Sequence, residues 1–239
     1  MSVIADSENL LVCDFERGVV AGWITRAVAA DHPFLRYRFL TCAANMLIEQ
    51  AALAPIHGAL IARRGHGVVL CGESFAGKST LAYACARAGW TYVTDDGTHL
   101  VRNRADRYAV GDPHTLRLRE DARDLFPELA DQLAVVRPNG KVAIEMFTRE
   151  LPIHIAAGCT IDHVVFLDRQ EFGRARLCSY AKEEAFMQWE AYASFGTQAV
   201  RSAQKCCYEQ LLRARIWELS YSYFDDAVVR LEQLVDSGD

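Results

Sequence analysis

The chain has no apolar run approaching the ~18 residues a membrane-spanning helix needs, so no membrane partner is expected. Its first eight residues, Met1 to Glu8, hold no lysine or arginine, so the basic start of a secretory signal is missing. Eight cysteines are present, but no two form a C-x-x-C pair, and Cys206 and Cys207 are adjacent. A cysteine metal site is therefore not expected. Without a secretory signal a disulfide framework is not expected either, and Cys71 and Cys85, in apolar surroundings, read as small hydrophobes. These absences point to a reduced, cytoplasmic protein. A surplus of positive charge is also lacking: 26 Lys and Arg face 31 Asp and Glu, a formal net charge of −5. That argues against a broad nucleic-acid surface. There is no internal repeat, linker or low-complexity run.

What is present is ordinary for a soluble globular protein: 239 residues, 51% hydrophobic and 24% charged, long enough for a substantial core. The economical expectation is one domain over 1–239. Residues 1–54 would supply short strands and a packing helix, and 55–239 the core and the C-terminal helices.

One stretch organises the rest. Gly72-Glu73-Ser74-Phe75-Ala76-Gly77-Lys78-Ser79-Thr80 has the pattern G-x-x-x-x-G-K-S of a phosphate-binding loop. Small and apolar residues, Gly67 to Cys71, precede it as a buried strand would. Leu81 to Ala88 follow as a helix, which Gly89 is placed to stop. Two glycines let the backbone curl so that successive N–H groups converge on an anion, and the helix N-terminus adds partial positive charge. Lys78 would reach the outer phosphates and the Ser79 hydroxyl would ligate Mg²⁺. A glycine-rich turn before an ordinary helix would look similar but would not need the lysine and serine.

Further on, Trp90 to Thr94 alternates as a strand and delivers Asp95-Asp96-Gly97 at its end, where ligands bind in α/β sheets. Asp-Asp-Gly is also good turn chemistry. Nucleotide chemistry nearby favours the functional reading, because it needs one carboxylate for Mg²⁺ and often another to accept a proton. Ile161 to Asp168 is the strongest late strand, and its closing acid makes Asp168 a rival for the metal. Ile56 to Ala62 reads as a strand that hairpins through Arg63-Arg64-Gly65-His66-Gly67 into the loop strand. His57 would lie on that strand, where a lone histidine is usually a satisfied core residue. Arg36 to Leu53 has helical spacing, ended by Pro55, and would cover one side of the sheet. Leu100–Arg102 and Tyr108–Val110 read as a hairpin, Asp121–Leu133 as helix broken at Pro127, and Pro138-Asn139-Gly140 as a turn. Lys182–Arg213, with Trp189 and Tyr192, reads as helices. Ile216–Tyr221 reads as a strand, with Asp225 capping a last amphipathic helix.

Ile56-His57-Gly58, the loop and Val93-Thr94-Asp95-Asp96 together resemble the catalytic domain of bacterial HPr kinase/phosphorylase, a P-loop kinase family related to phosphoenolpyruvate carboxykinase. The likeness is close from Pro55 to Val101, looser from Trp217 to Val235, and absent from the first thirty residues. It implies an α/β fold with a mixed, loop-bearing β-sheet flanked by helices. It implies ATP and Mg²⁺ at Gly72–Thr80, with Ser79 and Asp95 at the metal. Asp96 would then be the proton acceptor, His57 the residue beside it, and Lys78 the cation on the phosphates, with Asp168 reduced to a sheet-end acid. The family's E-x-R-G-x-G segment is altered here to Leu116-Arg117-Leu118-Arg119-Glu120, with arginine in place of the acid. Its arginine-rich phosphorolysis loop has no convincing match around Arg137–Lys141. The family forms hexamers; its N-terminal domain has no counterpart, so only a homo-oligomer of unspecified size is expected.

The expectation is thus a Mg²⁺-ATP-dependent kinase acting on a hydroxyl acceptor, either a serine of a protein or peptide or a small hydroxylated molecule. The alternative, motivated by the altered Leu116–Glu120 segment, is a nucleotide-binding ATPase or regulatory protein without kinase activity.

Overall fold

The computed structural model describes residues 1–138, 140–192 and 196–237, without the side chains of Ser2 and Tyr192. Asn139, the centre of the expected Pro138–Gly140 turn, lies outside the described residues, as does the side chain of Tyr192.

Three antiparallel strands open the chain: β1 (Ser2–Ala5), β2 (Leu10–Asp14) and β3 (Val19–Trp23). Two short helices follow, α1 (Arg26–Ala30) and α2 (His32–Leu35). Thr25 caps the first by accepting from the Val28 amide, and Asp31 caps the second from the Phe34 amide. The chain continues through a π-helical stretch, Arg36–Thr41, into α3 (Cys42–Ala51). Its buried residues Phe39 and Ala43 join Ile4 and Cys13 in a small core of their own. The expected packing helix thus meets the N-terminal strands through Phe39 and Ala43 and the edge of the main sheet through Glu49 and Gln50, and it stops before Pro55, which lies inside the next strand.

That strand is β4 (Leu53–His57), and a separate one, β5 (Ala59–Arg63), follows after a single glycine. The run Ile56–Ala62 is thus two strands in different parts of the sheet, not one. A Cβ on Gly58 would stand 2.8 Å from the Leu70 carbonyl oxygen, so only glycine lets the chain turn so close to its neighbour. β5 hairpins into β6 (His66–Cys71), with Arg63 opposite His66. The intervening Arg64 and Gly65 both have left-handed φ, 51° and 87°, the backbone that a two-residue hairpin turn demands. After the glycine–lysine loop come α4 (Lys78–Arg87), β7 (Thr91–Thr94), β8 (Gly97–Val101), β9 (Tyr108–Val110) and β10 (Thr115–Leu118).

The segment expected as helix from Asp121 to Leu133 forms only two 3-10 turns, Glu120–Asp124 and Pro127–Leu129. Proline withholds an amide at 127, and Ala122, Phe126 and Leu129 reach the core from these two short turns rather than from one α-helix. Then follow β11 (Ala134–Val136), β12 (Val142–Phe147), β13 (His154–Ile155), β14 (Gly158–Arg169), β15 (Arg176–Ser179), α5 (Lys182–Tyr192), α6 (Gln198–Leu211), β16 (Arg215–Tyr221) and α7 (Phe224–Asp236). Tyr223 precedes α7 without a side-chain cap, and Asp225 lies in the first turn. An acid there favours the helix dipole rather than capping an amide.

The architecture is mixed α/β. A large sheet runs β13-β7-β5-β6-β14-β9-β8-β4, with β16 also on β14 and β15 on β16. β10, β12 and β11 make a separate small sheet. Strand periodicity divides the core in two. Ile61, Val68 and Leu70 face α4 and α7, whereas Leu60, Val69 and Cys71 face α5 and α6 with Trp189 and Tyr208. Fully burying each such aliphatic side chain contributes about 1.5–3 kcal/mol. β5 is antiparallel to both β6 and β7, so β6 and β7 end at the same edge of the sheet. This brings the loop and the Asp95–Asp96 pair together. Among the described residues no helix is long and apolar enough to cross a membrane, and all eight cysteines are free.

Candidate functional site

The loop leaves β6 at Gly72, at φ 145°, and enters α4 at Gly77, at φ 92°. A Cβ on Gly77 would come 2.4 Å from the Tyr221 hydroxyl, which donates to the Ala76 carbonyl at 2.7 Å. Conformation and space both require glycine there. Gly77 stands at the N-cap, and no side chain caps the first amides of α4. Helix geometry gives those amides no intrahelical partner, so they remain available to an anion. Lys78 is buried and its Nζ donates to the carbonyls of Gly72 (2.7 Å) and Glu73 (3.0 Å). Burial holds its pKa below the usual lysine value, and the charge of Asp96 opposes that fall.

Across from the loop, the Ser79 hydroxyl donates to the backbone carbonyl of Asp95 at 3.3 Å. The Asp95 carboxylate is buried and already engaged. Its Oδ1 lies 3.2 Å from the Tyr92 hydroxyl, which also reaches the Thr115 carbonyl, and its Oδ2 accepts from the Arg117 amide at 3.0 Å. Burial pushes its pKa up to about 6, against the lowering effect of Arg117. Asp96 behaves in the opposite way. His57 Nδ1 lies 3.1 Å from its Oδ1, and that hydrogen bond, with the charges of His57, Lys78 and Arg117, holds its pKa below the carboxylate value, although the side chain is largely exposed. The backbone fixes this pair: the Gly58 amide donates to the Asp96 carbonyl at 2.9 Å, and Thr98 Oγ1 donates to the Gly58 carbonyl at 2.8 Å.

Two clefts meet at these residues. The first, about 790 Å³, is lined by His57, Lys78, Ser79, Asp96, Arg119 and Lys141 among others. The second, about 1240 Å³, lies between the sheet edge and the α2–α3 segment, with Tyr37, Glu49, His99 and Asp112 in its walls. Asp95, Asp96, Arg117 and Arg137 line both.

The structure thus brings together His57, Ser74, Phe75, Gly77, Lys78, Ser79, Thr80, Asp95 and Asp96 around one cleft. Gly72, Glu73 and Ala76 complete the loop behind it. Asp168 lines neither cleft and instead accepts from Ser220 (3.1 Å) and Gln170 (2.6 Å). Glu120 lies in the first cleft, 3.6 Å from Arg123. Sequence reasoning gave no site role to the arginines of that cleft, Arg117, Arg119, Arg137 and Arg169, nor to the α2–α3 wall of the second. A signal for Arg119 was available, since it continues the alternation of Leu116, Arg117 and Leu118 just past the end of β10. Among the described residues no three His, Cys, Asp or Glu gather as a metal cluster. Mg²⁺ needs no such cluster, because it keeps waters and binds one or two side-chain oxygens plus phosphate oxygens. The Ser79 hydroxyl and the acid pair fit that demand.

The fold and site define a mixed α/β protein with a glycine–lysine loop facing an aspartate pair. No family model matches the chain, and no curated protein matches it. Among solved structures it is similar to the HPr(Ser) kinase/phosphatase from Coxiella burnetii, at a TM-score of 0.39 and 12% identity, over 77% of this chain and 98% of that one.

Proposed function

We propose that this chain is a Mg²⁺-ATP-dependent kinase that transfers a phosphoryl group to a hydroxyl acceptor. One observation carries the reading: the loop with Lys78 and Ser79 and the His57–Asp96 pair face the same cleft from neighbouring ends of one sheet. The uncapped α4 amides and Lys78 would hold the phosphates, with Nζ exchanging its loop carbonyls for phosphate oxygens. When bound beside Ser79 and the acid pair, Mg²⁺ neutralises charge on the phosphate oxygens. Asp96, kept ionised by His57, takes the proton from the acceptor hydroxyl. The hydroxyl oxygen then bonds to the γ-phosphorus as the bond to the bridging oxygen of ADP breaks. The acceptor is a serine of a protein or peptide or a small hydroxylated molecule, entering from the side of the second cleft.

Incubation with labelled ATP and candidate acceptors tests this. Wild type should label an acceptor, Asp96→Ala should lose about 10²–10⁴-fold in transfer yet still bind Mg²⁺-ATP, and Lys78→Ala should lose both. Full transfer by the Asp96 variant would remove the base from the mechanism. A second reading, a nucleotide-binding ATPase or regulator, is favoured by one feature: Arg117 is tied to Glu145 at 3.5 Å, where the resembling family has an acid. Release of free phosphate with no labelled acceptor would support it.

A further inference from the structure

Phe75 sits in the middle of the loop at φ 75°. A bulky aromatic in the left-handed region is strained, and such strain persists only where something compensates it. Burial does not compensate it here, because the ring is 73% exposed. What it does touch is a cation: the Arg119 guanidinium carbon lies 4.2 Å from the ring centroid, well inside the ~6 Å at which a ring face attracts a cation.

Arg119 follows β10 and lines the first cleft with Lys78 and Ser79. Among the described residues it makes no ion pair, whereas its neighbours do: Arg117 with Glu145 at 3.5 Å and Arg123 with Glu120 at 3.6 Å. An aromatic ring fixes a guanidinium in place without cancelling its charge. The N–H fork of Arg119 is then held over the loop with its charge intact, ready for a second, planar contact to phosphate. Arg169 on Phe224 (5.0 Å) and Arg137 on Tyr37 (5.7 Å) repeat the arrangement around the same cleft.

We propose that Arg119 is a phosphate-binding cation for the polyphosphate tail, and that Phe75 is the positioning residue that holds it there. This rests on the nucleotide reading above and adds to it a pair that the loop pattern does not contain.

Calorimetric titration of the full chain with Mg²⁺-ATP tests the pair. Arg119→Ala should weaken binding about tenfold or more, and Arg119→Lys should recover only part of that. Phe75→Asn should weaken binding about two- to fivefold, the worth of an exposed ring–cation contact. Its thermal unfolding temperature should not fall, because asparagine tolerates the left-handed backbone. Placed in the Arg119→Ala background, Phe75→Asn should cost nothing further. Wild-type affinity in Arg119→Ala, or an undiminished Phe75→Asn effect in that background, overturns the inference. If Lys78→Ala loses binding while both the Arg119 and Phe75 variants keep it, this inference alone falls. A wild-type chain that binds no nucleotide removes the nucleotide reading, and this one with it.

Discussion

Around the first cleft Arg119 rests on Phe75 and Arg169 on Phe224, while Arg137, which lines both clefts, rests on Tyr37 in the wall of the second. Around the second, polar side chains are paired with one another: His99 Nε2 lies 3.4 Å from Glu49, and the Arg117 guanidinium 3.5 Å from the Glu145 carboxylate. The chain carries a net charge of −5, yet among the described residues Arg119 and Arg169 at the first cleft rest on rings and make no ion pair, while Arg117 on the shared wall is paired with Glu145. A polyanion gains most from the first arrangement. A ligand that offers hydroxyls fits the second, where the protein's own partners already balance the field. On the proposed function, that is the division between donor and acceptor that a kinase needs.

The wall between the clefts is where this contrast is most easily broken. Tyr92 is fully buried and its hydroxyl ties Asp95 to the Thr115 carbonyl. Tyr92→Ala should destabilise the protein by about 3–5 kcal/mol in urea unfolding and merge the two clefts. A loss under about 1 kcal/mol would show that the wall stands without it.

Asp95 offers a finer test. Its folded pKa is raised to about 6 from 3.8, so the folded protein holds this proton more tightly than the unfolded chain. The favourable contribution is complete below the unfolded value and disappears as pH climbs through the folded one. Between about pH 4 and pH 6, wild type should therefore lose about 2–3 kcal/mol relative to Asp95→Asn, with the gap constant above. Parallel curves for the two proteins in metal-free buffer would place the titrating group elsewhere.

The smallest effect expected is at Glu145. Both members of its pair with Arg117 are partly exposed, so Glu145→Gln should change stability by no more than about 0.5 kcal/mol. It frees a cation on the shared wall, and Mg²⁺-ATP should bind about two- to threefold tighter. Unchanged affinity would mean that Arg117 belongs to the second cleft alone.

Much of the first cleft was legible in sequence because its parts are local. The glycines, Lys78 and Ser79 are contiguous, and the strand after α4 delivers Asp95 and Asp96 within a few residues. The Arg64-Gly65 turn was legible for the same reason. The break at Gly58 was not, since its cause is the carbonyl of Leu70 on another strand. Nor could periodicity show that Phe39 and Ala43 turn toward Ile4 and Cys13, because an amphipathic stripe does not say which surface it meets. Asp168 had the right form at the end of an apolar strand, but Ser220, far along the chain, engages it. The Arg119–Phe75 contact joins residues whose separate letters, an arginine just past a strand and an aromatic in a loop, carry no mutual signal.

The stitching of Gly58 to Asp96 through their main chains, reinforced by Thr98, has a consequence for how the site is loaded. The main chain itself fixes the imidazole against its carboxylate, so on the proposed function their alignment does not depend on the substrate. On the proposed function, two groups must change partners instead: the Lys78 ammonium, held by the Gly72 and Glu73 carbonyls, and the Ser79 hydroxyl, held by the Asp95 carbonyl. On that reading, turnover should be governed by how readily both contacts are released.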